Sequence, residues 1–124
     1  MANPLRVVVF EDDFLLAEAL ADALTRLGCD LIHCCGSFRE AMRVIDKADF
    51  DLAIVDLDLQ GFDASPILDR LADCNISVLL ATASNEEFVP ERFAQTPRLT
   101  KPYDHQQLKK AIEQLQMSGS FRTA

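Results

Sequence analysis

The chain has 124 residues, 49% of them hydrophobic, and a formal net charge of −8. This length suits one domain with a single core, over residues 1–124 with a frayed tail from about residue 118, and the hydrophobic content excludes a disordered chain. The sequence shows neither a membrane-spanning run nor a signal peptide, so we expect a cytoplasmic protein without membrane contact. Its acidity argues against direct nucleic-acid binding.

Five short segments, residues 5–10, 30–35, 51–55, 76–81 and 98–100, predict five β-strands. The segments at 5–10, 51–55 and 76–81 are mostly apolar and short enough to be strands buried on both faces of a parallel sheet.

Helical patterns fill the intervals between these segments. Leucines at helical spacing over residues 14–27 form one apolar stripe, and Gly28 is placed to end that helix. A capping box that begins at Ser37 opens a second helix to about Lys47. A third helix starts at Ser65-Pro66, and Asp104 is placed to cap the last one.

The interval between the fourth and fifth strands is less regular. Residues 84–87 form another capping box, but Pro90 interrupts the helix that it would open. We therefore expect a short or irregular fourth helix. The complete alternation predicts an α/β fold, a doubly wound five-stranded parallel sheet with helices on both faces.

The four cysteines predict neither a disulfide framework nor a zinc site. Cys34 and Cys35 are adjacent in a predicted strand and so point to opposite faces. Cys29, His33 and Cys34 contain ligand types, but no second ligand pair follows at zinc-site spacing. Reduced, buried thiols are the favoured interpretation.

Polar groups follow four of the predicted strands at their carboxyl ends, where open α/β sheets bind ligands. They are Glu11, Asp12, Asp56, Thr82 and Lys101. Each alone is compatible with an ordinary loop or strand-end residue, but their coincidence at one sheet edge favours a site. Three carboxylates together call for a cation such as Mg²⁺, and a lysine and a hydroxyl beside it suit a phosphoryl group. An aspartate can itself be phosphorylated as a nucleophile.

The chain resembles a receiver domain of the two-component response regulators over nearly its whole length. The matching motifs are, in order, Glu11-Asp12, Asp56, Thr82-Ala83 and Lys101-Pro102-Tyr103. Lys-Pro-aromatic alone is a weak signal, but four motifs in this order are specific. The resemblance, to a stand-alone receiver of the chemotaxis-regulator kind, implies the flavodoxin-like strand order 2-1-3-4-5.

This resemblance implies a phosphoprotein with a magnesium site. Asp56 would be the phospho-acceptor, taking a phosphoryl group from a phosphohistidine on a histidine kinase or histidine phosphotransferase. Asp12, Asp56 and the backbone carbonyl of Asp58 would ligate Mg²⁺, and Glu11 would contribute directly or through water. The domain would phosphorylate and dephosphorylate itself rather than turn over an external substrate.

The resemblance also assigns the signalling residues. Lys101 would pair with the phosphoryl oxygens, the backbone N–H of Ala83 would donate to them, and Thr82 would move to bind one. That movement would alter the surface that a downstream protein binds. The receiver would act as a monomer or a weak homodimer. The aromatic that usually transmits it is replaced by Arg98, which together with the shortened fourth helix is typical of a divergent subgroup.

Three alternatives remain open from the residues. Asp56-Leu57-Asp58 matches the Asp-x-Asp core of haloacid-dehalogenase-type phosphatases, although that motif belongs after the first strand and Gln60 stands where it requires a hydroxyl residue. A flavodoxin-type flavin domain would need a phosphate loop where this chain is acidic. A pseudo-receiver that only binds protein would not need the intact acidic pair, acceptor and lysine.

Overall fold

The computed structural model describes residues 4–47, 49–57, 64–82 and 89–117, which form one parallel sheet and the helices around it. Strands and helices alternate along the chain. In order, the elements are β1 (Arg6–Phe10), α1 (Phe14–Arg26), β2 (Asp30–Cys35), α2 (Phe38–Lys47), β3 (Leu52–Asp56), α3 (Ser65–Asp73), β4 (Ser77–Thr82), a 3-10 helix (Glu91–Phe93), β5 (Arg98–Thr100) and α4 (His105–Met117).

The sheet order is β2-β1-β3-β4-β5, with every neighbouring pair parallel. This confirms the doubly wound α/β fold and the strand order that the resemblance implied. Parallel pairing brings the carboxyl ends of the strands to one edge of the sheet. Phe10 is level with Val55 in the β1–β3 pair, and Asp56 is level with Ala81 in the β3–β4 pair.

Two apolar layers cover the sheet, one on each face. Alternate residues of β3 point to opposite faces, so Ala53 and Val55 pack in the layer with α2 and α3, whereas Leu52 and Ile54 pack in the layer with α1 and α4. All five residues of β3 are buried. Asp56 is thus a carboxylate held at the end of the most deeply buried strand.

Helix boundaries follow the local signals. Asp13 caps α1, its Oδ1 accepting from the N–H groups of Leu15 and Leu16 at 3.0 and 3.2 Å. Gly28 adopts φ +82° just after α1, a left-handed conformation that glycine tolerates best. Proline in the first turn of α3 needs no N–H partner. None of the helices in the described part of the chain is long and apolar enough to cross a membrane.

The predicted bounds of β3 and β4 are one residue early at both ends, since both strands continue through Asp56 and Thr82, and β1 begins at Arg6, one residue later than predicted. The extra pairing is held by the Leu57 N–H, which donates to the Ala81 carbonyl at 3.0 Å. The predicted capping box at residues 84–87 lies outside the described residues. Residues 89–97 include one short 3-10 helix, Glu91–Phe93. It begins directly after Pro90, whose backbone is extended.

Candidate functional site

Four strand ends place polar groups at the same edge of the sheet. Glu11 and Asp12 follow β1, Asp56 ends β3, Thr82 ends β4 and Lys101 follows β5. Backbone hydrogen bonds hold two of these positions. The Glu11 N–H donates to the Cys35 carbonyl at 3.0 Å, and the Lys101 N–H donates to the Thr82 carbonyl at 2.7 Å.

Three carboxylates converge at this edge. Oxygens of Glu11, Asp12 and Asp56 lie within 4.8 Å of one another. Glu11 and Asp56 are only 7% and 4% exposed, whereas Asp12 is half-buried. The Asp13 N–H donates to Glu11 Oε2 at 3.1 Å, so the start of α1 fixes one carboxylate of the cluster.

Lys101 links two of these carboxylates. Its Nζ lies 3.0 Å from Asp56 Oδ2 and 3.2 Å from Glu11 Oε1. Burial lowers the pKa of Lys101, but its hydrogen bond to Asp56 and the two negative charges outweigh burial and raise that pKa above its ordinary value. The ammonium therefore stays protonated between the two carboxylates.

The pKa of Glu11 is raised to about 7, first by burial and then by its hydrogen bond with Asp56. At neutral pH this carboxyl is therefore only partly ionised, and further positive charge nearby would favour its ionised form. The cluster offers three carboxyl groups and one ammonium, and all its metal-ligand atoms are oxygens. This donor set fits Mg²⁺, a hard cation that binds carboxylates, waters and phosphate oxygens.

Thr82 is fully buried, and its Oγ1 has no hydrogen-bond partner among the described residues. A hydroxyl without a partner is unusual in a protein interior, because its desolvation is not compensated. The unpaired hydroxyl therefore lowers the stability of this conformation.

We predict that Thr82→Val raises the free energy of unfolding of the ligand-free protein by about 1 kcal/mol, because an isosteric methyl removes an unpaired buried hydroxyl. Urea unfolding measures this. The matched control is Thr25→Val, since the Thr25 hydroxyl donates to the Ala21 carbonyl at 2.9 Å. Thr25 is exposed, so the control should change stability by no more than about 0.5 kcal/mol, and a loss of stability in Thr82→Val would show that the Thr82 hydroxyl is bonded.

Two of the predicted site positions, Asp58 and Ala83, lie outside the described residues. Sequence reasoning also missed a feature beside the site, a cavity of about 550 Å³ between α1 and α4 that Lys101 and Glu11 border. Tyr103 lines it, and burial raises the pKa of its phenol. The only sequence signal for this cavity was the aromatic after Lys101-Pro102.

The chain matches the family model of the response regulator receiver domain over residues 7–113. It therefore belongs to the receiver domains of two-component signalling. Asp56 ends the third strand and not the first, so the fold does not match the haloacid-dehalogenase alternative.

Individual relatives agree with this family. The chain is 36% identical over 86 residues to the transcriptional regulatory protein PmrA of Pectobacterium parmentieri, a match to 66% of this chain and 37% of PmrA. The chain thus spans well under half of that relative. It is 25% identical over 120 residues to a probable chemotaxis protein CheY of Rhizobium etli, a match to 91% of this chain and 93% of that protein.

The fold is similar to the solution structure of SdrG from Sphingomonas melonis Fr1. The TM-score is 0.82 at 27% identity, covering 94% of this chain and 99% of SdrG. A BeF3-activated conformation of SdrG, from Pseudomonas melonis Fr1, gives a TM-score of 0.78 at 28% identity, covering 93% of this chain and 98% of that one.

Proposed function

We propose that this receiver domain accepts a phosphoryl group on Asp56 and signals through the resulting conformational change. The observation that carries the proposal is the environment of Asp56. It is a buried carboxylate at a strand end, 3.0 Å from the Lys101 ammonium and within 4.8 Å of two further carboxylates. A structural acid would not need two like charges beside it.

The donor would be a phosphohistidine on a histidine kinase or histidine phosphotransferase. An oxygen of Asp56 attacks the phosphorus, the phosphorus–nitrogen bond breaks, and the electron pair of that bond leaves with the imidazole. Lys101, which pairs with the carboxylate before the reaction, is within reach of the new phosphoryl oxygens. Its positive charge stabilises their negative charge in transfer and in the product.

Glu11, Asp12 and Asp56 would hold Mg²⁺, with the backbone carbonyl of Asp58 as a further ligand. When bound, the ion offsets the charge of the carboxylates and of the incoming phosphoryl group. This explains why a pocket with three acids can accept a phosphoryl group.

The reporting step would use Thr82 and the backbone N–H of Ala83. The unpartnered Thr82 hydroxyl supports this assignment, because a phosphoryl oxygen would provide the missing partner. Binding it would pull the end of β4 toward Asp56 and change the neighbouring surface near β5. The changed surface would then bind a downstream protein. The receiver would act in the cytoplasm as a monomer or a weak homodimer.

The test is incubation with Mg²⁺ and acetyl phosphate, followed by intact-mass measurement. We expect the wild type to gain one phosphoryl group, and EDTA to prevent the gain. Asp56→Asn should not gain it, because an amide is a poor nucleophile. The matched control is Asp22→Asn, an exposed acid of α1 that should be phosphorylated as the wild type is.

Phosphorylation of Asp56→Asn would refute the assignment of the acceptor. An unmodified wild type would favour the alternative in which the domain binds protein without being phosphorylated.

A further inference from the structure

A second cluster of metal-ligand types lies on the neighbouring strand β2, where the Cys35 carbonyl accepts from the Glu11 N–H at 3.0 Å. It joins the end of β2 to the start of α2. Potential ligand atoms of His33, Cys35 and Glu40 all lie within 4.8 Å of one another. The cluster contains one nitrogen, one sulfur and one oxygen donor, whereas the site at Asp56 contains oxygen donors alone.

The geometry of β2 points two of these side chains toward α2. His33 and Cys35 are two residues apart in the strand and therefore share a face. An irregularity in the β1–β2 pairing lies just before them, since Val7 pairs with Leu31 and Val8 with His33. Bulges of this kind re-aim side chains. Here Leu31 and Cys34 pack on the layer of α1 and α4, and Cys35 packs on the layer of α2 and α3.

Glu40 is held in place by the start of α2. Its backbone N–H donates to Ser37 Oγ at 3.2 Å, and its Oε1 accepts from the Gly36 N–H at 2.8 Å. The second oxygen, Oε2, lies 3.1 Å from His33 Nε2. One carboxylate oxygen is thus held by a backbone N–H while the other faces the imidazole. The backbone hydrogen bond orients the carboxylate as an outer-shell hydrogen bond orients a metal ligand.

The cluster is closed to solvent at Cys35 and open to solvent at His33 and Glu40. Cys35 is 1% exposed, whereas the side chains of His33 and Glu40 are 44% and 35% exposed. The hydrogen bond from Gly36 and the contact with His33 lower the pKa of Glu40, which is therefore a carboxylate at neutral pH. Burial and the charge of Glu40 raise the pKa of Cys35, so the thiol is protonated in the absence of a cation.

We infer that His33, Cys35 and Glu40 form a binding site for Zn²⁺, with three protein ligands and a water molecule at the fourth position. Imidazole, thiolate and carboxylate are all zinc ligands, and three protein ligands with one open position is a common zinc arrangement. Binding replaces the His33–Glu40 contact by two bonds to the ion. The thiol proton of Cys35 passes to the solvent as the zinc–sulfur bond forms.

The two sites also differ in the metal ion that their donor atoms prefer. Sulfur and nitrogen donors suit borderline-soft transition ions and not Mg²⁺, which prefers oxygen. The zinc site therefore does not rest on the proposed function of Asp56, and saturating Mg²⁺ leaves it free.

The test is titration of the whole chain with Co²⁺, in saturating Mg²⁺ and with the cysteines reduced, monitored by absorption. Cobalt replaces zinc at such sites and reports a thiolate ligand by a sulfur-to-metal charge-transfer band in the near ultraviolet. We expect this band to saturate at one equivalent and to disappear when Zn²⁺ is added. The absence of a thiolate band in the wild type would overturn the inference.

Variants locate the ligands. Cys35→Ser should abolish the band, whereas the matched control Cys34→Ser should keep it. His33→Ala and Glu40→Gln change partly exposed side chains and should fold normally, so they test the site even if Cys35→Ser is unstable. Each should weaken Zn²⁺ binding by more than about tenfold. Wild-type affinity in both variants, or a band that depends on Cys34, would contradict the site.

Discussion

Replacing Lys101 with alanine is expected to lower the free energy of unfolding of the metal-free protein by about 3 kcal/mol at pH 8. Lys101 pairs with Asp56 at 3.0 Å and with Glu11 at 3.2 Å, and both carboxylates are more than nine-tenths buried. Removing the ammonium leaves buried negative charges without this partner. Uptake of a proton by Glu11, whose pKa is already about 7, limits the loss.

Urea unfolding of Lys101→Ala with and without Mg²⁺ measures this effect. The ion should recover part of the lost stability, because it replaces the missing positive charge. The control is Lys110→Ala, an exposed lysine of α4 that should change stability by no more than about 0.5 kcal/mol. Equal, small losses in both variants would mean that the contacts of Lys101 are not what holds the carboxylates together.

The convergence of Asp56 and Lys101 was predictable from the sequence because it depends on topology. Each follows a predicted strand, and parallel strands bring their carboxyl ends to a single edge. The distances were not predictable, because they depend on side-chain packing. The sequence suggested a group of acids near a lysine, and the structure shows that Lys101 contacts two of them at once.

The cluster at His33 shows a different limit. Strand alternation alone places His33 and Cys35 on one face, yet the ligand types that stand out in the sequence are Cys29, His33 and Cys34. The irregular β1–β2 register and the return of α2 decide which cysteine meets Glu40, and neither is readable from local spacing. The interruption at Pro90, in contrast, was predictable from the sequence, since proline prevents a regular helix from continuing.

The free energy of unfolding should also depend on pH through the ionisation of Glu11. The pKa of this carboxyl is raised from an ordinary value near 4.5 to about 7 in the folded protein. The folded state therefore binds more protons than the unfolded state between these values. The contribution of Glu11 to stability is fully present below about pH 4.5 and is lost as the pH rises through 7. Glu11→Gln cannot ionise, so it should become more stable than the wild type by about 2 kcal/mol at pH 8, without metal.

With Mg²⁺ bound, the wild type should be more stable than Glu11→Gln. The ion favours the ionised form of Glu11, so wild-type Mg²⁺ affinity should rise as the pH passes 7, whereas Glu11→Gln should bind more weakly and without that step. Urea unfolding at pH 5 and pH 8, with and without Mg²⁺, separates the two effects. Glu18→Gln, an exposed position on α1, should follow the wild type throughout. A stability difference between wild type and Glu11→Gln that does not change with pH would show that Glu11 is not the carboxyl titrating near neutrality, and the ion would then bind without help from its ionisation.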